Sequence, residues 1–355
     1  MALIERLPAA TTRTESVRRL RAAVIGYGYW GPNLARNIAA HAGTELVAIG
    51  DLSPERLGRA RAAHPWAQLT SDTRALLAQP DIDAVVIATP PETHRDLAIE
   101  ALERGKHVLV EKPLATSTAD AQRMAAVAKS CNRTLMVDHT FLFTGAVRRM
   151  KEYLDAGALG EVYYFDSTRI NLGLFQTHAN VIWDLAPHDI SIMAHLLKTP
   201  VRAVSAIGAS HVHGQQENIA YLTLQFDGPL LAHFHVNWLA PVKIRKTIIG
   251  GSNKMLVYDD MEPSEKLKLY DSGADLVETK DDMYRSLVEY RTGDVLVPKL
   301  DKTEALAAEW DHFVNVIGGR EQSISGAELG VEVVSIIEAA ERSLRSGGVP
   351  TEVER

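Results

Sequence analysis

Three groups of residues in this chain have the types and spacing that chemistry requires. Gly26-Tyr27-Gly28-Tyr29-Trp30-Gly31 places glycine at the spacing G-x-G-x-x-G. In such a turn the first glycine permits a tight reversal and the second lets a phosphate approach the main chain. The third lets the following helix pack closely on its strand. Amides at the start of that helix can hold a diphosphate. Asp51 comes twenty residues after Gly31, at the end of an apolar run, where a carboxylate accepts hydrogen bonds from ribose hydroxyls. Its charge favours NAD over NADP, because a 2′-phosphate would meet it at close range. Ser53 and Arg56 lie near enough to soften that preference, so NADP stays open.

Lys112 sits between an apolar run and a proline, which is not where a merely solvated lysine is expected. Asp184 and His188 are four residues apart and share one face of a helix. Histidine suits proton transfer because its ordinary pKa is about 6.5. Pro187 lies between the two and removes one backbone donor, so the helix is expected to start or kink there. His211/His213 and His233/His235 each repeat at i, i+2, on one strand face, which raises a metal question. No cysteine or ordered carboxylate set accompanies them, so packing or surface roles are expected and no metal is.

The elements that must position these groups follow from periodicity. Short apolar runs at Arg21–Gly26, Glu45–Asp51, Asp83–Thr89, His107–Val110 and Thr134–Val137 read as buried strands. Helical segments at Pro32–Ala40, Pro54–His64, Thr93–Arg104 and Ser117–Lys129 alternate with them. That rhythm predicts an α/β domain with a doubly wound parallel sheet over residues 21–140, after a polar tail at 1–20. Beyond residue 140, strand-like stretches (Val162–Ile170, Val201–Ser210, Ile219–Phe226, Leu230–Trp238, Lys243–Ile249, Met255–Tyr258) have few helices between them. They predict an α+β domain over 141–355 with a large, mainly antiparallel sheet. Helices at Gly145–Ala156, Asp184–Leu197, Lys302–Ile317 and Gly326–Arg345 complete it.

A length of 355 residues accommodates two domains, and 46% hydrophobic with 23% charged residues is ordinary globular composition. The net charge of −7 argues against nucleic acid or an anionic membrane as partner. A single cysteine, Cys131, excludes an intrachain disulfide. With no apolar run long enough to span a bilayer and no apolar leader, a soluble cytoplasmic chain is expected.

Val108-Leu109-Val110-Glu111-Lys112-Pro113, preceded by Ala88-Thr89-Pro90-Pro91-Glu92-Thr93-His94, resembles the glucose–fructose oxidoreductase / inositol dehydrogenase / rhizopine catabolism family. Trp183-Asp184-Leu185-Ala186-Pro187-His188-Asp189-Ile190 is similar to the family's second motif, although many members carry glycine where Pro187 stands. The resemblance covers essentially residues 21–345. It implies that Lys112 lies beside the nicotinamide ribose and the substrate hydroxyl, with Asp184 and His188 catalytic beside it. Lys112 and His188 can exchange proton-handling roles on this reading. The resemblance also implies that Tyr27, Tyr29, Trp30, Thr89, Pro90, His94 and Glu111 line the cofactor. His139, Thr140, Arg169, Asn171 and His178 become candidate substrate contacts.

The implied activity is hydride transfer between nicotinamide and a secondary alcohol of a sugar. The stretches Gly26–Asn37, Thr168–Gln176 and Trp183–Ile190 are similar to members acting on nucleotide-linked hexoses at C3. Lys243, Arg245 and Lys246 could then supply charge for a diphosphate. A free cyclitol or hexose is the alternative substrate. A dinucleotide-binding sensor without turnover is the alternative of another class, and an NAD-dependent glycosidase is a third. A homodimer or homotetramer is expected through the second sheet, on the face carrying Tyr221, His233, His235 and Asn237.

Overall fold

The computed structural model describes residues 18–173, 179–212, 216–277 and 287–354. Six strands build the first sheet: β1 Leu20–Ile25, β2 Thr44–Gly50, β3 Gln68–Thr70, β4 Ala84–Ile87, β5 His107–Glu111 and β6 Leu135–Asp138. All pair in parallel in the order β3-β2-β1-β4-β5-β6. Helices α1 Gly31–Ala40, α2 Pro54–Ala63, α3 Thr73–Leu77, α4 His94–Glu103 and α5 Thr118–Ser130 connect them. Ala22 to Ile25, Val85 to Ile87 and Val108 to Val110 are wholly buried, as strands covered on both faces must be. The doubly wound reading therefore holds. The short pair β3 and α3 was not foreseen, because three strand residues carry too little periodicity to register.

Helix α6 Gly145–Asp155 leads into the second sheet, whose strands are β7 Val162–Leu172, β8 Val201–Ala209, β9 Ile219–Phe226, β10 Leu231–Asn237, β11 Leu239–Gly251, β12 Met255–Asp259 and β13 Leu267–Tyr270. A small hairpin pairs β14 Gly273–Val277 with β15 Leu287–Arg291, and β16 Val295–Leu296 joins the edge of the large sheet. With β17 Thr351–Glu352 the nine-stranded order is β16-β13-β12-β11-β7-β10-β9-β8-β17. Only β7 and β10 pair in parallel, so the sheet is mainly antiparallel as expected. Helices α7 Val181–Leu197 and α9 Ala327–Arg345 pack on this sheet, while α8 Ala305–Ile317 packs on α1 and the turn at 140–143; α9 also packs on α5 and α7.

Helix α7 corrects the expectation at Pro187. It starts at Val181, where the Asn180 side chain accepts hydrogen bonds from the amides of Ile182 and Trp183 at 3.1 and 3.2 Å. Pro187 lies inside the helix, and the strong cap upstream outweighs the one backbone bond it removes.

The glycine turn needs its glycines. Gly26 has φ +96°, and a Cβ there would lie 2.4 Å from the Ala88 carbonyl oxygen. A Cβ on Gly31 would lie 2.1 Å from the Gly26 carbonyl oxygen. Replacing Gly31 with Ala must push α1 off β1, and we expect a loss of about 1–3 kcal/mol in denaturant unfolding, the usual scale of overpacking. A midpoint equal to that of the native protein would contradict this close approach.

Candidate active site

At the carboxyl end of β5, Lys112 meets Asp184 of α7, which Trp238 of the second half also holds, and ligands of open α/β sheets bind at such strand ends. Gly28, the middle glycine of the turn, is open: the nearest group to a Cβ there is the Arg56 guanidinium at 3.8 Å. Helix α1 has Trp30 at its N-cap without a side-chain bond and no acid in its first turn. Pro32 has no amide proton and the Asn33 amide donates to the Trp30 carbonyl at 2.9 Å, so the Gly31 amide is what the helix start offers an anion. Tyr29 and Trp30 are exposed and meet edge to face at 5.3 Å. The Tyr27 ring is buried in the core, away from the exposed pair.

Asp51 stands where expected and secures the turn. Its Oδ2 accepts from the Tyr27 amide at 2.6 Å and its Oδ1 from the Ser53 amide at 2.8 Å. Arg56 lies 3.6 Å from the same carboxylate. Thr89 and Pro90 lie on the loop after β4, with the Thr89 and Thr93 hydroxyls 2.7 Å apart.

His94 corrects an expectation. It is wholly buried, with Nδ1 2.9 Å from the Pro113 carbonyl and Nε2 2.9 Å from the Thr89 carbonyl. It ties the two cofactor-side loops together from beneath and does not face the cleft.

Lys112 follows β5, joined to Pro113 by a cis peptide bond, and its side chain is 14% exposed. Its ammonium donates to the Asp184 carbonyl at 2.8 Å and lies 3.5 Å from Asp184 Oδ1. The other carboxylate oxygen, Oδ2, accepts from the Trp238 indole at 3.0 Å. His188, one turn along α7, stands edge-on to Phe141 at 5.1 Å. Its Nδ1 is buried without a hydrogen-bond partner among the described residues. Burial first, then the positive charges of Lys112, Arg169 and Arg245, hold the imidazole well below its ordinary pKa. His188 is therefore neutral at working pH. The three residues singled out for chemistry are thus brought together.

The candidate substrate contacts divide. His139 is buried at the end of β6, neither ring nitrogen has a partner, and burial lowers its pKa to about 3. Thr140 is partly buried and donates its hydroxyl to Asp138. Asn171 is half-buried on β7. Arg169 is not a cleft residue. It is buried, donates twice to Asp189 at 2.9 and 2.7 Å, and lies 4.4 Å from the Phe141 ring centre. Its charge is consumed in holding α7 to β7. His178 and His213 lie outside the described residues.

Glu111 also departs from expectation: it turns into a buried carboxyl cluster with Asp138 and Glu309 and away from the cofactor side. Arg245 is drawn to Asp260 at 3.3 Å, and Lys246 lies 4.0 Å from Asp259, so only part of their charge remains for a ligand. Trp238, Phe141 and Glu309 were missed. Trp238 and Phe141 carry no ionisable group, and Glu309 gave one signal, an acid on the apolar stripe formed with Leu306 and Phe313.

Buried histidines set the response to acid. Burial lowers His107 and His195 to about 4 and His139 to about 3, and it lowers His94 and His188 as well. In the unfolded chain these rings take protons below about 6.5, while in the fold they do not, so stability rises with pH in that window. Glu111 and Glu309, raised by burial, act in the opposite direction above the ordinary carboxylate range, but they are fewer. Stability should fall as pH drops from neutrality toward about 4, by about 1.4 kcal/mol per pH unit for each proton of difference. Urea unfolding across that range checks it, and His139→Phe should flatten the slope. A native slope of zero would refute the neutral-histidine assignment.

A family model described as "Oxidoreductase family, NAD-binding Rossmann fold" matches residues 20–139, and one described as "GFO/IDH/MocA C-terminal domain" matches residues 147–257. The chain is 30% identical over 260 residues to the uncharacterized oxidoreductase YdgJ of Escherichia coli (strain K12), covering 70% of this chain and 73% of that one. It is 32% identical over 199 residues to scyllo-inositol 2-dehydrogenase (NAD(+)) of Bacillus subtilis (strain 168), covering 54% of this chain and 57% of that one. The WlbA dehydrogenase from Bordetella pertussis, solved in complex with NADH and UDP-GlcNAcA, superposes with a TM-score of 0.79 at 22% identity. That superposition covers 95% of this chain and 100% of that one, and the likeness is one of fold. Both halves of the molecule point the same way: this chain belongs to the Gfo/Idh/MocA family of NAD-binding oxidoreductases.

Proposed function

We propose that the protein is an NAD-dependent dehydrogenase that moves a hydride between nicotinamide and a secondary alcohol of a sugar-like substrate. The observation that carries this reading is the meeting of Lys112 and neutral His188 at the carboxyl end of the same parallel sheet that carries the open glycine turn. The uncapped start of α1 and the open face of Gly28 fit a dinucleotide diphosphate. When bound, nicotinamide accepts or returns the hydride.

The chain's own groups handle the proton. Neutral His188 accepts the hydroxyl proton, and its cationic neighbours make the protonated ring a ready donor in the reverse direction. Lys112 has ammonium hydrogens beyond the one given to the Asp184 carbonyl, and they stabilise negative charge developing on the substrate oxygen. Asp184, anchored by Trp238, holds Lys112 in place.

The substrate class we favour is a nucleotide-linked hexose, which rests on the sequence likeness around Gly26–Asn37, Thr168–Gln176 and Trp183–Ile190. The WlbA complex illustrates the same fold holding such a ligand. A free cyclitol is the second reading, supported by the identity to scyllo-inositol 2-dehydrogenase.

A panel of nucleotide sugars, free sugars and cyclitols followed by NADH formation tests the proposal. Lys112→Ala and His188→Ala should each lose at least about 10²-fold in kcat, the scale of a positioned acid–base group. Calorimetry should show NAD binding more tightly than NADP. Dinucleotide binding with no turnover of any substrate would favour a sensor, and product formed without net NADH would favour a transiently oxidising glycosidase.

The second sheet's outer face carries Tyr221 stacked on His235 at 4.4 Å, with His233 and exposed Leu231 on the same face of β10. We assign it to a homodimer or homotetramer contact. Light scattering at micromolar protein should report a multiple of the chain mass, and a mass of one chain would overturn the assignment.

A further inference from the structure

Behind Lys112 three carboxyls from three elements converge. Glu111 ends β5, Asp138 ends β6 directly opposite it in the sheet register, and Glu309 enters from α8. Their exposures are 8%, 3% and 0%, so water cannot neutralise them. Thr140 has one hydroxyl proton and gives it to Asp138 Oδ1. Asp138 Oδ2 and both oxygens of Glu309 are left without a donor among the described residues. Yet α8, which carries Glu309, packs on the turn at 140–143 just after Asp138, and Glu111 stands opposite Asp138 across the sheet, so the three carboxyls interact.

Three dry carboxylates in contact cannot all be ionised, because desolvation and mutual repulsion both oppose it. Burial, and then the charge of Asp138, push Glu309 and Glu111 well above the usual carboxylate range. The other polar groups facing the cluster do not offset this. The Lys112 amide donates to Glu111 Oε2 at 3.1 Å, and its ammonium is the nearest cation. His139 and His188 are neutral, and His312, one turn beyond Glu309, is engaged by Glu321.

We propose that Glu309 is a positioning residue of the reaction centre: a neutral carboxylic acid that donates its proton to Asp138. Together with Glu111 it relieves the repulsion that three ionised carboxylates would suffer behind Lys112. Glu309 touches neither cofactor nor substrate and acts through Asp138. The kinetic consequence rests on the reading of Lys112 given under Proposed function. The location of the proton does not.

Infrared spectroscopy of the cofactor-free protein at neutral pH tests the location. The native protein should show a carboxylic-acid carbonyl band that diminishes in Glu309→Gln and shifts when the solvent is D2O. Circular dichroism verifies that the variant is folded. Absence of a Glu309-dependent band overturns the proposal, whether or not the protein turns over any sugar. Kinetics test the positioning. Glu309→Leu leaves Asp138 without its donor and should lower kcat at least about tenfold, the scale of one charge-assisted hydrogen bond. Glu309→Gln, whose amide can donate in place of the acid, should recover most of that loss. Equal losses in the two variants would overturn the positioning role. A Glu309-dependent band in a protein that oxidises no member of the panel would count against the proposed function and leave the buried acid standing.

Discussion

The Lys112 side chain ends where water barely reaches it, and much of the surrounding architecture follows from satisfying that polar head. The ammonium takes a carbonyl and a carboxylate oxygen from α7, so the helix must lie across the mouth of the first sheet. Trp238 at the end of β10 then holds the carboxylate, which brings the second sheet into the arrangement. Burial first, and then the nearby Lys112, keep His188 and His139 from protonating, so neutral rings stand beside a basic side chain within one small volume. A second buried pair, Arg169 with Asp189, fixes α7 against β7 from behind. Breaking such a pair by removing one partner costs about 3–5 kcal/mol, while replacing both with apolar groups of similar volume is often neutral. Position is therefore what the pair supplies, more than net stability.

The parallel sheet, the glycine turn and the shared face of Asp184 and His188 were legible in the sequence because each rests on local pattern, whereas the place of Lys112 beside them followed from the family resemblance. Buried strands are apolar throughout, the turn requires glycine where a Cβ would strike a carbonyl, and four-residue spacing places two side chains on one helix face. The start of α7 was not legible, since Pro187 is the louder signal in the sequence and Asn180, the residue that sets the start, lies in an irregular stretch.

Polar residues whose partners are distant in sequence were the hardest to assign. Arg169 and His94 have the composition of ligand contacts, and only the fold reveals that Asp189, Thr89 and Pro113 already engage them. Glu111 and Asp138 became neighbours through the register of β5 and β6, and Glu309 joined them across a separation no spacing rule reaches. Single-sequence patterns report what an element wants to bury. They do not report which polar groups will have to share one dry pocket.

Helix α9 has a mechanical consequence. It packs on α5 in the first half and on α7 and β8 in the second. Just before it, the Ser325 hydroxyl donates to the Val137 carbonyl at 2.5 Å and Gly326 bridges to Met136 on β6. The carboxyl-terminal segment is thus woven into the edge of the amino-terminal sheet and acts as a splint across the cleft. Removing it would not release a smaller working nucleotide-binding unit, because it would strip apolar surface from both sheets at once. A change in the angle between the halves would have to disturb the packing of α9 on α5, α7 and β8 together, so the two sheets are tied through one element.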